Sequence, residues 1–396
     1  MMSSKTQIQT VQENSSRALI FYLLCLGFVL NGIIISFIGP LLPVFRAKWG
    51  LDDGRAGLFS TVQFSVSLIG VLLSSPLISK KGFKPAITLG LVLMGIGFAF
   101  LNAPSFALAL AASGFYGFGY GFVTPGTNLW VGESYGARRA SALNIANLAW
   151  GVGAIVSAPA AMYAIRTSRV NALLYLSGAI SIFLAFFLIR QHFGKPPYEE
   201  TTPQTTENSK VAGNGVAILL GILFYVYVGT EVSTSYWAAT HAERAAGWLT
   251  NTFTLAPMFF FAGLLGGRGA AAAILLRVKE ATVAVVGLLI AAAGELLFIS
   301  AHSHVTLFAG AFFAGLGLAS LYPIYVAWLT KWFGSRARKV GGAMFASAAI
   351  GSATLPWLVG ELSHAATSLR IGLIVPLAGC VVMLMVIALL RPNTRG

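Results

Sequence analysis

Charge is scarce in this chain. Asp, Glu, Lys and Arg make up 10% of its 396 residues, against about 25% in an ordinary soluble domain. Acidic residues are the scarcest, 12 against 26 basic ones, for a net charge of +14. In a soluble protein that excess would point to nucleic acid. Here the basic residues lie mostly between long apolar runs, and no interleaved aromatic and basic pattern of a nucleic-acid surface occurs. Lipid is therefore the expected partner, since acidic headgroups attract such clusters. Cysteine is almost missing: Cys25 and Cys380 sit in apolar runs near opposite ends and lack metal-ligand spacing. Both read as small buried hydrophobes. His302 and His304 share a short loop with no third ligand in sight, so no metal site is expected. There is no nucleophile motif, no pair of intramembrane Asp residues and no soluble domain. These absences count against an enzyme or a non-transporting sensor, and no catalytic residue or cofactor is expected.

What the chain does have is hydrophobic length, 57% of its residues. A membrane-crossing helix needs about 20 mostly apolar residues. Windows of that kind begin near residues 19, 56, 84, 105, 139, 170, 215, 249, 280, 304, 340 and 368. The fold class expected is thus an all-α membrane protein with twelve transmembrane helices. The polar start, MMSSKTQIQTVQENSSR, has no basic-then-apolar leader pattern, and the first apolar run is too long for a signal peptide. With the N-terminus inside, most loop Lys and Arg fall on the inner side, as the positive-inside rule requires. Both termini are then expected in the cytoplasm and the chain in the cell (inner) membrane. The longest polar connection, residues 192–215, is rich in Pro, Thr and charge and reads as a cytoplasmic linker. It separates residues 1–191, with six spans, from residues 216–396, with six more.

The two parts repeat. At an offset of 198, GFGYGFVTPGTNLWVGESYGARR in the fourth span superposes on GLGLASLYPIYVAWLTKWFGSRAR in the tenth. Gly119 falls on Gly317, Pro125 on Pro323, Gly136 on Gly334, Arg138 on Arg336, and further on Gly153 on Gly351. Duplicated six-helix units with a binding site between them near mid-membrane are a secondary-transporter architecture. The glycines Gly117, Gly119 and Gly121 lie inside an apolar span, so they read as close helix contacts rather than a phosphate loop.

Twelve spans in two repeats, a basic loop after the second and an acidic-then-basic run after the fourth resemble the major facilitator superfamily along the whole chain. Its loop signature is met in part by SPLISKKGFK: Gly82, Lys80, Lys81 and Lys84 match, while Ser75 and Ser79 replace the Gly and the Asp. Glu133, followed by Arg138 and Arg139, is similar to a cytoplasmic latch, with Lys80 and Lys84 as further members. Within the superfamily, YVGTEVSTSYWAAT and LNIANLAWGVGAI resemble segments of the fucose-permease-like sugar:proton symporters. That resemblance implies a sugar-facing amide at Asn147. It also shows two departures, because the acids of those symporters in spans 1 and 4 fall near Gly39 and Tyr120 here.

The resemblance implies that spans 1, 2, 4, 5 and their repeats line a cavity. Polar groups at membrane depth must face protein or water. The substrate-binding candidates are Asn31, Gln63, Tyr120, Asn128, Asn147, Trp150, Glu231, Ser235, Trp237 and Tyr322. Ser36, Asn144, Tyr236 and Tyr325 stand near them. Arg268 reads as either an anion ligand or a structural partner, and Glu295 as a group pointing into a helix contact. Amides, hydroxyls and indoles with few fixed charges suit a neutral polyhydroxyl solute, so a sugar carrier acting by alternating access is expected, as a monomer. Glu231 is the candidate for a coupling proton. The alternative is an exporter of drugs or lipophilic cations using Glu231 as counter-charge.

Overall fold

The computed structural model describes residues 4–135, 138–193, 213–245 and 251–393. Most of the expected linker, 192–215, lies outside them, as does Gly136. Where the hydropathy windows fall, helices form. The first span is α1 (Ser4–Ser36) continued after Phe37 by α2 (Ile38–Trp49). It is followed by α3 (Asp53–Lys81), α4 (Phe83–Ala99), α5 (Phe106–Tyr135), α6 (Arg139–Arg166) and α7 (Val170–Arg190). The second half holds α8 (Asn214–Ala245), α9 (Ala256–Ile274), α10 (Glu280–Ser300), α11 (His304–Leu318) and α12 (Leu321–Phe333). It ends with α13 (Ala337–Ala365), the short α14 (Leu369–Gly372) and α15 (Ile374–Asn393). Among the described residues, eleven helical segments, with α1–α2, α11–α12 and α14–α15 each counted as one, are long and apolar enough to cross a membrane. The shorter apolar helix α4 is the twelfth span.

The internal repeat reappears as packing. A Cβ on Gly119 of α5 would strike the Gly90 carbonyl and Met94 of α4, and one on Gly317 of α11 would strike the Gly287 carbonyl and Ala291 of α10. Gly153 of α6 lies against the Val29 carbonyl of α1 as Gly351 of α13 lies against the Tyr225 carbonyl of α8. Where lipid is as apolar as leucine, helices associate through such close backbone approach. The turns obey the repeat as well. Ser168 and Thr367 both adopt left-handed backbone angles, φ 55° and φ 51°. Each is followed by an amide that reaches back five residues, Arg169 N–H to the Ala164 carbonyl and Ser368 N–H to the Ser363 carbonyl. The repeat breaks at proline: α5 runs on through Pro125, whereas the tenth span is interrupted before Pro323. Proline removes a backbone donor and crowds the preceding turn, so either outcome is open to it.

The described chain forms two compact units. One holds residues 1–35, 66–154 and 170–203; the other holds 36–65, 155–169 and 204–396. Thus the ends of the first two spans around the 50–52 turn, and the end of the fifth, cluster with the second half of the chain rather than the first. In the second unit α8 is the central helix, packing against α13, α15 and α2.

Candidate functional site

Glu231 lies on α8 and is partly exposed. One and two turns before it, on the same helical face, stand Tyr227 and Phe224. Their rings meet those of α12: Phe224 on Tyr322 at 5.6 Å and on Tyr325 at 6.1 Å, and Tyr227 on Tyr322 at 5.9 Å and on Tyr325 at 6.0 Å. The Tyr227 hydroxyl is in electrostatic contact with Glu231 and with Arg268 of α9. Arg268 in turn interacts with Tyr227, Glu231 and Tyr322. None of these approaches closes into an ion pair or a well-formed hydrogen bond. The buried Tyr227 hydroxyl and Arg268 Nε have no hydrogen-bond partner among the described residues. An acid, a base and a phenol are thus held near one another on an aromatic wall with bonding capacity to spare.

Of the α8 candidates, Glu231 stands beside Tyr227, whose ring meets Tyr322, and the others are engaged elsewhere. Ser235 donates to the Glu231 carbonyl at 2.9 Å, within its own helix. Trp237 is fully buried, and its Nε1 donates to the Pro356 carbonyl at 2.8 Å. Tyr236 donates to the Ala56 carbonyl at 2.6 Å. Gln63 is buried on α3, three residues on from Ser60, whose hydroxyl donates to the Ser352 carbonyl at 2.9 Å. Thr61 donates likewise to the Ala353 carbonyl at 2.8 Å.

Thr234 turns away from Glu231 to meet Glu295 of α10, which is fully buried. The Thr234 hydroxyl stands 3.1 Å from the Thr230 carbonyl and 2.5 Å from Glu295 Oε1. A hydroxyl has one hydrogen to give. That hydrogen is shared between the two acceptors unless the Glu295 carboxyl group itself donates to Thr234, which satisfies both contacts in full. Glu295 accordingly sits in a helix contact, as expected of it.

In the first unit, Asn31 of α1 is buried, and its Nδ2 donates to Thr124 Oγ1 at 3.1 Å. Tyr120, Thr124 and Asn128 recur at four-residue spacing, so they share one face of α5. Asn31 Oδ1 and Asn128 Oδ1 are buried without a hydrogen-bond partner among the described residues. Asn147 is exposed and donates to the Leu143 carbonyl of its own helix at 2.8 Å. Trp150 is half-buried, with its carbonyl against Gly32. Glu133 is half-buried on α5, Lys84 is half-buried, and Arg138, Arg139 and Lys80 are exposed.

A second polar constellation went unread in the sequence. At the start of α3, Asp53 accepts both terminal nitrogens of Arg244 of α8, at 2.8 and 2.6 Å. Arg46 of α2 pairs with it at 3.0 Å, and Ser363 of α13 donates to its Oδ2. Four helices of the second unit thereby meet on one carboxylate. The signal available was an acid opening the second span, with basic residues closing the first and the seventh.

Comparison with known proteins agrees with this architecture. Residues 24–285 match the family model of the Major Facilitator Superfamily. An uncharacterized transporter, y4wD, of Sinorhizobium fredii (strain NBRC 101917 / NGR234) is 23% identical over 354 residues, covering 86% of this chain and 90% of its own. A POT family transporter crystallised with a thioalcohol-conjugated peptide superposes with a TM-score of 0.77 at 15% identity, over 95% of this chain and 96% of that one. A variant of the E. coli fucose:proton symporter FucP does so with a TM-score of 0.62 at 19% identity, over 94% and 99%. At such identities the structures speak for the fold alone. The family model spans well over half of the sequence, and the chain belongs to the major facilitator superfamily: it is a multi-pass membrane transporter, not an enzyme.

Proposed function

We propose that the chain carries a small polar solute of sugar size by alternating access, with Glu231 as both a solute ligand and the holder of a coupling proton. The observation that carries this reading is the Glu231–Tyr227–Tyr322 arrangement, a carboxyl group beside aromatic faces. Flat rings stack on the apolar face of a sugar ring, and the carboxyl group accepts from its hydroxyls. Glu231 is partly exposed, so its carboxyl group is open to a solute.

A lipophilic-cation exporter would use the same carboxylate as counter-charge. Arg268 argues against it. A second cation beside a guanidinium meets repulsion of about 4 kcal/mol at 4 Å in an environment of effective dielectric 20. We assign the 50–52 turn and the Asp53 cluster to the outer face of the cell membrane and the termini to the cytoplasm, from the loop distribution of Lys and Arg. Equilibrium binding by the purified protein to a panel of sugars and of lipophilic cations tests the proposal. Saturable sugar binding that weakens in Glu231→Gln is expected. Binding of the cations alone would overturn it.

A further inference from the structure

Arg268 is the group the sugar reading leaves unused. It lies on α9 seven and four residues after Phe261 and Leu264 and three before Ala271, all buried, so it belongs to the inward face of that helix. Counting from the helix ends around residues 245 and 256, Glu231 is about 21 Å deep along α8 and Arg268 about 18 Å along α9. The two charges therefore sit at similar depth. The guanidinium is half-buried and its Nε has no acceptor among the described residues. Glu231, the nearest counter-charge, remains short of an ion pair with it, and Tyr227 beside them keeps an unpartnered hydroxyl.

Arginine carries five donors in a planar fork and accepts nothing. Left in membrane interior, such a group needs acceptors, and the protein supplies few. We infer that the transported solute brings them: it carries a carboxylate that Arg268 grips with its fork while Tyr227 donates to the same group. Glu231 then takes a hydroxyl or amino group at the other end of the solute, three helix-borne groups reading one small molecule. The class is a small organic acid that also bears hydroxyl or amino groups, of which sugar acids and amino acids are the two sources. The fork geometry fits a carboxylate through two parallel hydrogen bonds. Neutral polyols offer no such partner. This inference rests on the small-solute carrier reading and narrows it.

The test is thermal unfolding and equilibrium binding with matched probes on the full-length purified protein. D-glucuronate is set against D-glucuronamide and D-glucose, and L-serine against L-serinamide. The acid of one pair should bind the wild type, with about 10-fold or more lost in Arg268→Gln and less in Arg268→Lys, which keeps the charge without the fork. Whichever pair responds names the source. Unliganded unfolding of both variants shows whether the fold survives; if Arg268→Gln does not fold, Arg268→Lys and the acid–amide contrast in the wild type decide. Neutral probes binding as well as the acids, or acids binding Arg268→Gln undiminished, would overturn the inference and leave the carrier reading standing. If no probe of either kind binds, both readings fail for solutes of this size.

Discussion

Arg244 grips Asp53 through both terminal guanidinium nitrogens, Nη1 to Oδ2 at 2.8 Å and Nη2 to Oδ1 at 2.6 Å, across 191 residues of sequence. Arg46 shares the same carboxylate at 3.0 Å. The side chain of Asp53 is 7% exposed and that of Arg244 33%, so the pair is screened on one side only. Around it, Tyr236, Trp237, Ser60 and Thr61 each donate to a backbone carbonyl of a facing helix. Together they tie the ends of α2, α3, α8 and α13 to one another.

Asp53→Asn strands two guanidinium groups and should weaken that tie by about 1–3 kcal/mol, between the values for exposed and buried pairs. The tied arrangement of these helix ends would then lose roughly 5- to 150-fold in population. A cysteine at position 61, in a background lacking Cys25 and Cys380, should react correspondingly faster with a membrane-impermeant maleimide. An unchanged rate would show that the carbonyl contacts suffice without the ion pair.

The glycine contacts make a paired prediction about stability. Gly119→Ala and Gly317→Ala each drive a methyl group into the backbone of a neighbouring helix, which should cost about 1–3 kcal/mol. Gly266→Ala, on an exposed stretch of α9 with open space around it, should be neutral or gain up to about 1 kcal/mol. Thermal unfolding in detergent reads all three. Equal behaviour at the three sites would mean that close backbone approach does not hold the bundle.

Glu295→Gln retains a donor for Thr234 and should fall within about 1 kcal/mol of the wild type, since the hydrogen-bond count is kept. Glu295→Ala opens a cavity and should lose about 2–4 kcal/mol. If Gln proved as costly as Ala, a donating carboxyl group could not be what Thr234 meets.

Orientation is checked by labelling. Thr205→Cys and His302→Cys, each in the cysteine-free background, should react from opposite sides of sealed vesicles. Reaction of both from one side would reverse the assignment of faces.

The spans were legible because hydrocarbon leaves the backbone no choice but helix, and helix length follows membrane thickness. All twelve windows found a helix, and the glycine pairs 119/317 and 153/351 found close backbone contacts. The site was legible only where charge made it stand out. Glu231 is conspicuous in an apolar run, whereas Tyr322 is linked to that stretch only by the ring of Tyr227. Tyr227, one turn away, reads like any core aromatic until the structure shows its hydroxyl unpartnered. Arg268 reads in the sequence as a structural residue as readily as a ligand, and only the structure shows its Nε without an acceptor among the described residues. Trp237 and Ser235 share the conspicuous segment with Glu231, yet helix rotation turns the indole into the core and the hydroxyl onto its own backbone. The Asp53 cluster was hidden by distance: its members lie at the ends of four different spans, and only tertiary packing brings 46, 53, 244 and 363 together.

The most direct measurement is solute movement in proteoliposomes with wild type and Glu231→Gln, using whichever probe the binding panel selects. The variant keeps the side chain's shape and removes its titration. It should still exchange solute between the two compartments but lose accumulation driven by a pH gradient. Full pH-driven accumulation by Glu231→Gln would contradict the account.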